Sequence, residues 1–404
     1  MFFLKSVYCR AFQTAFRIAL PLLPYREPQI VSSCADLGEV LKKENINSVL
    51  VVTDKGIVNN GIVSPLEDAL KKSNVKYNIY DKTQPNPTVE NVEDALTVYK
   101  ANNCNCLIAI GGGSSMDCAK AVGARVAYPK RTVGQMKGVM RILRRLPTII
   151  AIPTTAGTGS EVTPVAIVTD SEKCHKYALM SFPLIPHYAV LDAEFTYSLP
   201  PHLTSTTGMD ALTHAVEAYI GRSTTNETRK LALEATKLVF ENVKTAYEDG
   251  QNRFARENML HAAYKAGIAL SKSYVGYIHA IAHSLGGQYG TPHGLANTVI
   301  MPYVLEAFGE SIYKKLHKLG VAAGVCNEND SHKAGAEKFI EAIKTLNKEM
   351  GIPDKIEGIK KEDIPVMAKH AEKEANPLYP VPKLMTQGEL EDFYYIIGGN
   401  YEKN

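Results

Sequence analysis

The sequence predicts a doubly wound α/β domain with a parallel sheet, followed by an all-helical domain. Up to about residue 197, short runs rich in valine, isoleucine and leucine alternate with stretches of helical periodicity. That alternation is typical of a parallel sheet covered by helices on both faces. From about residue 205 onwards, apolar residues recur three and four positions apart and no strong strand pattern follows. A chain of 404 residues is also too long for one ordinary core.

We therefore expect three segments: an amphipathic extension over residues 1–28, an α/β domain over 29–197 and a helical domain over 198–404. The strands of the α/β domain read as near-continuous apolar runs, which indicates burial on both faces of a parallel sheet. The clearest strand patterns are SVLVVTD (48–54), YNIYD (77–81), CLIAIG (106–111) and PTIIAIP (147–153), and the longest helical pattern is ETRKLALEATKLVFENVKTAYED (227–249).

Composition narrows the class of protein. Hydrophobic residues make up 45% and charged residues 22% of the chain, an ordinary globular mixture. The net charge is +3 and the two signs are interspersed, so nothing indicates nucleic-acid binding. Seven scattered cysteines indicate reduced thiols in a cytoplasmic setting rather than a disulfide framework. Cys104 and Cys106 form the only close pair and lack a second pair, so we expect buried side chains there, not a zinc site.

The N-terminal extension is apolar and basic, with no acidic residue before Glu27. Lys5, Arg10 and Arg17 interrupt its apolar run, so we expect neither a signal peptide nor a membrane span. Aromatic residues at helical spacing predict a helix that ends at Pro21. A transit peptide and a helix lying on a membrane surface are alternatives. We favour a helix that packs on its own protein or on a second subunit.

A glycine turn links a strand to a helix in IAIGGGSSMDCAK, residues 108–120. Glycines permit a tight turn, and the following helix N-terminus offers unpaired N–H groups and a positive dipole end to a phosphate. Ser114 or Ser115 could cap this helix, and Asp117 in its first turn suits the dipole. The spacing differs from G-x-G-x-x-G, so on its own this stretch fits a plain strand-to-helix turn equally well.

Two further features point to the same edge of the sheet. Asp54 ends an early strand, where an acidic residue can hold ribose hydroxyls and repel a 2′-phosphate, although a helix cap would also explain it. The hydroxyl- and glycine-rich stretch PTTAGTGSEVT (153–163) follows a later strand. Because ligands of such folds bind beyond the carboxyl ends of the strands, the three features together favour a nucleotide site.

Asp210 and four histidines are potential metal ligands, and two pairs of them lie at helical spacing. Asp210 and His214 are four apart in GMDALTHAVEAYI, so their side chains share one helix face. His279 and His283 repeat this spacing in HAIAHSLGGQYGTPH, and His293 follows in a turn. A carboxylate with imidazoles suits Fe²⁺ or Zn²⁺, and the lack of cysteine ligands argues against a structural zinc. Spacing does not decide whether His279 or His283 would bind the ion.

Taken together, these motifs resemble those of the iron-dependent (group III) alcohol dehydrogenases. The resemblance rests on GGGSSMDCAK, PTTAGTGSEVT, GMDALTHAVEAY and HAIAHSLGGQYGTPHGLAN, and it runs from about residue 30 to the C-terminus. It implies an α/β cofactor domain and a helical metal domain with the active site in the cleft between them. It also implies hydride transfer between NAD(H) and a small alcohol or aldehyde, in an enzyme that commonly forms a homodimer or a larger assembly.

The resemblance assigns roles to individual residues. It implies that the metal ligands are Asp210, His214, His279 and His293. It places His283 beside the nicotinamide and the substrate, where it is our candidate for proton relay. The implied cofactor contacts are Asp54, Asn86, Gly112, Gly113, Ser114, Asp117, Thr154, Thr155, Thr158 and Lys176. NAD-preferring members carry aspartate at the position of Asp54, so NAD is expected rather than NADP.

Three other functions are alternatives. A polyol dehydrogenase of the glycerol or propanediol type would share the fold, but glycerol dehydrogenases usually lack a histidine at the position of His214. A dehydroquinate synthase-like lyase would need a basic pocket, for which the sequence gives no sign. A non-catalytic assembly protein is disfavoured because the cofactor and metal motifs are complete. Val165 and Leu270 further suggest an apolar substrate pocket, a hypothesis about substrate alone.

Overall fold

The computed structural model describes residues 2–171 and 175–399, apart from the side chains of Phe2, Phe3, Pro21 and His175. The chain divides into two compact units. The α/β unit comprises Pro24–Leu199, and the helical unit comprises Pro200–Asn404 together with Met1–Leu23. The N-terminal helix therefore groups with the helical unit, although it comes first in the chain.

The α/β unit is built on a six-stranded sheet in which every pairing is parallel. The strands of the unit are β1 Gln29–Val31, β2 Ser48–Val52, β3 Lys76–Tyr80, β4 Cys106–Gly111, β5 Gly138–Val139, β6 Thr148–Pro153, β7 Val165–Asp170, β8 His175–Met180 and β9 Tyr188–Val190. The sheet order is β1-β9-β6-β4-β2-β3. Its helices are α2 Leu37–Lys43, α3 Lys55–Asn59, α4 Ser64–Lys72, α5 Val89–Ala101 and α6 Gly113–Ala127, after the chain's first helix α1 Phe2–Ala19.

The central strands explain why this sheet is stable. Strands β2 and β4 are buried along their whole lengths, and one apolar cluster covers each face of the sheet. This arrangement confirms the predicted parallel α/β fold. A second, three-stranded sheet in the order β5-β8-β7 was not predicted. Its strands β7 and β8 pair antiparallel and are only partly buried, so they lack the continuous apolar runs that revealed the main sheet.

The helical unit is dominated by α7, whose residues from Gly208 to Ile220 are all buried. Helix α8 begins with a capping box in which Thr225 and Thr228 satisfy each other's backbone N–H groups. The helices are α7 Pro201–Ile220, α8 Asn226–Glu248, α9 Arg253–Ser273, α10 Tyr277–Tyr289, α11 His293–Phe308, α12 Tyr313–Ala322, α13 His332–Glu349, α14 Ile364–Ala375 and α15 Gln387–Ile397. No strand is assigned in the described residues after 199, which agrees with the predicted all-helical domain.

Helix α1 packs on the helical unit, as one of the sequence alternatives proposed. It ends at Ala19 and is followed by a 3₁₀ turn that contains Pro21. The face it buries is polar as well as apolar, because Cys9 and Gln13 are buried whereas Tyr8 is 61% exposed. Of the aromatic residues at helical spacing, Tyr8 and Phe12 are exposed and Phe16 is half-buried.

Two further observations concern the whole described chain. Among the helices described, none combines the length and the apolar character that crossing a bilayer requires. The six cysteines described are free thiols, and all except Cys326 are buried. Cys104 and Cys106 are among the buried ones, as expected for residues that lead into a core strand.

Candidate functional site

One carboxylate and three imidazoles converge inside the helical unit. Helix α7 carries Asp210 and His214, α10 carries His279, and α11 begins at His293. One potential ligand atom from each of the four lies within 4.8 Å of those of the others. His283 is not part of this group, so the geometry separates the two histidines of α10 that spacing alone could not distinguish.

Glycine allows α11 to approach α7 closely enough for this grouping. A Cβ atom added at Gly294 would lie 2.7 Å from the carbonyl oxygen of Thr206, which is backbone and cannot turn aside. Gly294 follows His293 directly, and Asp210 is one turn beyond Thr206 on α7. As a result, His293 Nε2 lies 3.8 Å from Oδ1 of Asp210. Within α7 itself, His214 Nε2 lies 3.9 Å from the same oxygen.

The electrostatics of the group suit a cation. Asp210, His214 and His279 are buried, and desolvation lowers the pKa of His279 well below its usual value, with the neighbouring histidines adding to the effect. Burial alone would raise the pKa of Asp210, but His214 and His293 hold it below its usual value. Neutral imidazoles and an ionised carboxylate are electron-pair donors, which is the form in which these groups bind a metal.

A residue that the sequence analysis missed supports this interpretation. The side-chain amide nitrogen of Asn297, on α11, lies 2.7 Å from Asp210 Oδ1, 3.2 Å from His279 Nε2 and 3.1 Å from His293 Nε2. Three acceptor atoms thus face one positively polarised group, as they would face a cation. Within the described residues, the buried Asn297 Oδ1 and His214 Nδ1 atoms have no hydrogen-bond partner. The donor set fits a divalent ion such as Fe²⁺ or Zn²⁺.

A second missed residue, Glu217, orients His279. Its Oε2 atom lies 2.6 Å from His279 Nδ1 and accepts the backbone N–H of Gly276 at 2.8 Å. Its Oε1 atom accepts the N–H of Ile278 at 2.9 Å. The carboxylate therefore holds a proton on Nδ1 and leaves the Nε2 lone pair for the ligand group, an outer-shell arrangement common at metal-binding histidines. Burial raises the pKa of Glu217 to about 7, against the effect of these hydrogen bonds.

His283 lies at the edge of the group and has its own carboxylate. Its ring stacks on that of His293, with centroids 5.3 Å apart, and its Nδ1 atom lies 2.6 Å from Glu374 Oε1. The Tyr379 hydroxyl donates to the same carboxylate oxygen at 2.6 Å. Desolvation opposes the charged imidazole, but Glu374 outweighs it and raises the pKa of His283.

The glycine turn of the α/β unit leaves a helix N-terminus without a side-chain cap. Gly111 ends β4 with a φ of 147°, and a Cβ atom there would lie 2.5 Å from Ser115 Oγ. Helix α6 begins at Gly113, and its N-cap is Gly112. The prediction that Ser114 or Ser115 caps this helix is therefore wrong, because the helix starts earlier than expected. Within the part of the chain that the structure describes, no hydroxyl or carboxylate caps the first-turn N–H groups.

Threonines of the loop after β6 lie against this turn. A Cβ atom at Gly112 would lie 3.6 Å from Thr155 Oγ1, and one at Gly113 would lie 3.2 Å from Thr158 Cγ2. The backbone N–H of Thr154 donates to the carbonyl of Gly111 at 3.0 Å. Among the described residues, the buried Thr155 hydroxyl has no hydrogen-bond partner, as a group awaiting a phosphate or ribose would.

Two other predicted cofactor residues also lie at the turn. Asp54 caps α3 through Oδ1, which accepts the N–H of Ile57 at 3.1 Å, whereas its Oδ2 atom lies 3.8 Å from the Cβ position at Gly111. It therefore serves as a helix cap and still faces the glycine turn. Asn86 has a positive φ of 58°, and its N–H donates to Ser114 Oγ at 3.1 Å.

Asp117 and Lys176 are placed differently. Both carboxylate oxygens of Asp117 accept hydrogen bonds inside the protein, from Ser160 Oγ at 2.9 Å and from the N–H of Ile167 at 3.0 Å. Its geometry is that of a loop support, and its contact with a cofactor stays a prediction. Lys176 lies on β8 opposite Thr169, and burial lowers its pKa.

Sequence analysis also missed the buried Lys120. Its ammonium group donates to Ser160 Oγ at 2.9 Å, to Thr163 Oγ1 at 3.1 Å and to the carbonyl of Val165 at 2.8 Å. Burial lowers the pKa of Lys120 to about 8, although Asp117 and Glu161 oppose the shift. The ammonium ties α6 to the loop that carries the threonines. Lys120 is the last residue of the motif GGGSSMDCAK, but its place in a helical stretch gave no sign that its ammonium group would be buried against this loop.

Comparison with known proteins agrees with this geometry in both units. Residues 29–193 match the family model described as iron-containing alcohol dehydrogenase. Residues 204–396 match the model described as Fe-containing alcohol dehydrogenase family, C-terminal. The two matches together span most of the chain, including the glycine turn and the four clustered ligand candidates.

Individual relatives and solved structures support the same family. The chain is 37% identical over 340 residues to alcohol dehydrogenase 4 of Saccharomyces cerevisiae, covering 83% of this chain and 87% of that one. It is 35% identical over 368 residues to 1,3-propanediol dehydrogenase of Klebsiella pneumoniae, covering 89% and 93%.

A solved 1,3-propanediol oxidoreductase superposes with a TM-score of 0.88 at 34% identity, over 92% of this chain and 98% of that one. Sulfoacetaldehyde reductase from Bifidobacterium kashiwanohense in complex with NAD⁺ superposes with a TM-score of 0.83 at 26% identity, over 94% and 99%. The chain is an oxidoreductase and belongs to the iron-containing alcohol dehydrogenase family.

Proposed function

We propose that the protein interconverts a small primary alcohol and its aldehyde with NAD(H), using one divalent metal ion. The observation that carries the proposal is the convergence of Asp210, His214, His279 and His293 on one point in the helical unit. We propose these four as the ligands of Fe²⁺ or Zn²⁺. When bound, the ion would polarise the substrate oxygen as a Lewis acid while the nicotinamide gave or took the hydride.

The protein's own groups prepare this chemistry. Asp210 supplies one negative charge against a divalent ion, and Glu217 keeps His279 in the tautomer that presents Nε2. His283 is our candidate for moving a proton to or from the substrate oxygen. Its Nδ1 atom is taken by Glu374, so Nε2 is the nitrogen left for that task.

The cofactor proposal rests on the glycine turn. The uncapped N-terminus of α6 would hold the pyrophosphate of the dinucleotide, with the unpartnered Thr155 hydroxyl beside it. Asp54 would accept hydrogen bonds from the adenosine ribose and repel a 2′-phosphate, which favours NAD over NADP. The relative solved in complex with NAD⁺ supports use of a nicotinamide cofactor.

Substrate and setting are part of the proposal. Val165 and Leu270 are apolar, which favours simple alkyl aldehydes, whereas the similarity to 1,3-propanediol dehydrogenase favours a short diol as the alternative. An assay in which small diols outcompete alkyl aldehydes would decide for the alternative. We further propose a cytoplasmic homodimer or larger homo-oligomer with a fermentative role, in keeping with the free cysteines.

Two histidine variants on the same helix test the site. His279→Ala should lose bound metal and turnover together, because it removes a ligand. His283→Ala should retain the metal and lower kcat by roughly 10²–10⁴-fold, because it removes the proton-transferring group. Metal content by elemental analysis and NADH oxidation are measured on each, with the exposed His202→Ala as the control. Retention of both metal and activity by His279→Ala would show that the ligand assignment is wrong.

A further inference from the structure

A short chain of contacts fixes His283 from outside the metal group. Glu374, on α14, lies 2.6 Å from His283 Nδ1, and the Tyr379 hydroxyl donates to the same oxygen at 2.6 Å. Burial would raise the pKa of Glu374, but His283 and Tyr379 hold it below its usual value, so the carboxylate stays an acceptor. Glu374 thereby sets both the rotamer and the protonated nitrogen of His283, and Tyr379 sets the rotamer of Glu374.

The N-terminal helix holds Tyr379 in turn. The side-chain amide of Gln13, which is 3% exposed, donates to the carbonyl of Tyr379 at 2.7 Å. The guanidinium of Arg10 donates to the carbonyls of Val381 at 2.7 Å and of Pro382 at 2.9 Å, and also to Gln13 Oε1 at 2.8 Å. These three carbonyls lie between α14 and α15, where no helix or strand supplies regular backbone partners.

Aromatic rings support the same connection. The ring of Phe16, one turn after Gln13, packs edge-on against Tyr274 with centroids 5.0 Å apart. Tyr274 in turn lies 6.3 Å from the ring of Tyr379. Helix α1 thus binds the backbone carbonyl of Tyr379 directly, and it supports the ring of Tyr379 by way of Tyr274.

The polar character of this contact is informative. Burying a glutamine amide and most of an arginine is costly unless their donors are satisfied, and an apolar face would dock a helix more cheaply. Gln13 and Arg10 instead direct their donors to one irregular segment, and that segment carries the partner of Glu374. A helix needed only as a cover would not require this specificity.

We infer that helix α1 positions a residue of the active site. Gln13 and Arg10 hold the segment 379–382, and this segment in turn lets Tyr379 and Glu374 keep His283 aligned. Gln13, Arg10, Tyr379 and Glu374 are positioning residues, since they act through His283. The inference rests on the proposed function only in the role it gives to His283. The contacts themselves do not depend on which substrate is used.

Steady-state kinetics test the connection in the full-length, metal-loaded protein. Glu374→Gln should lower kcat about tenfold or more, and Gln13→Leu about threefold, with metal content and the KM for NADH unchanged; losing acid–base assistance altogether costs roughly 10²–10⁴-fold. Thr14→Ala is the matched control, because its hydroxyl donates to the carbonyl of Arg10 within α1 and, among the described residues, to no other group. In a His283→Ala background, both substitutions should have no further effect on kcat. Equal losses with and without His283 would overturn the inference.

A measurement without turnover separates this inference from the proposed function. In zinc-loaded protein with ¹⁵N-labelled histidine, the Nδ1–H of His283 should give a downfield signal from its bond to a carboxylate. That signal should disappear in Glu374→Gln and broaden in Gln13→Leu, and it should be unchanged in Thr14→Ala. A wild type without aldehyde turnover but with these spectral changes would refute the proposed function alone. An unchanged signal in Gln13→Leu would refute the inference, whatever Glu374→Gln shows.

Discussion

Replacing Glu217 by glutamine should weaken metal binding while leaving all four proposed ligands in place. The two oxygens of Glu217 accept three N–H groups: those of Gly276 and His279 Nδ1 on Oε2, and that of Ile278 on Oε1. Glutamine keeps only one acceptor oxygen, and its amide nitrogen would have to face at least one of these donors. In either orientation, a buried donor loses its partner and meets another donor.

The magnitude follows from this count. One unsatisfied buried donor costs about 1–3 kcal/mol of stability. In the orientation that costs least, the amide oxygen takes the place of Oε2, so Ile278 N–H loses its partner and His279 Nδ1 keeps only a neutral acceptor. The carboxylate that raises the basicity of His279 Nε2 is then gone, and outer-shell losses of this kind lower metal affinity by about 10–100-fold. The assay is competition for Zn²⁺ between the protein and a chromophoric chelator, with the melting temperature measured on the same samples. A dissociation constant within about twofold of the wild-type value would refute the reasoning.

Three further predictions concern other parts of the structure. Gly294→Ala should lower both metal affinity and stability, because its Cβ would lie 2.7 Å from a backbone oxygen and introduce about 1–3 kcal/mol of strain. Gly287→Ala, which has open space around its Cβ, should lower neither. Asp54→Ser, which keeps a helix cap, should raise the NADPH-to-NADH ratio of kcat/KM about tenfold, or ~1.4 kcal/mol; an unchanged ratio would exclude charge repulsion. Burial raises the pKa of Glu161 to about 7 against the effect of Lys120, so the folded protein takes up a proton there as pH falls. Relative to Glu161→Gln, the wild type should gain unfolding free energy in urea as pH falls from about 7 to 4.5, and a pH-independent difference would contradict this.

The fold was predictable because its signals are local. Continuous apolar runs marked the buried parallel strands, and apolar residues three and four apart marked the helices. The second sheet was missed because β7 and β8 are only partly covered and pair with each other across a short connection. Which face of α1 is buried could not be predicted, because that face carries Gln13, a polar residue whose burial only its partners explain.

The residues of the candidate site also differ in whether a local sequence signal marks them. Asp210 and His214 were found because they share a helix face, and Glu217 continues that face seven residues after Asp210, so the signal was present but unused. Asn297 lies four residues after His293 on α11, so this spacing too was present but unused, although its contact with Asp210 spans 87 residues of sequence. Glu374 could not be found, because its contact with His283 spans 91 residues of sequence. Local spacing carries no information on such pairs. The same holds for His279 against His283, which only the packing of α10 distinguishes.

Anaerobic NADH oxidation with short aldehydes is the most direct test of the proposed metal site. The protein is first stripped of metal with a chelator and then reconstituted with Fe²⁺ or Zn²⁺, with NADPH assayed in parallel. We expect no turnover without metal, recovery at one ion per chain, and a preference for NADH. Turnover that is equal before and after metal removal, or none with any metal despite confirmed metal and NADH binding, would contradict the proposal that Asp210, His214, His279 and His293 hold a catalytic ion for aldehyde reduction.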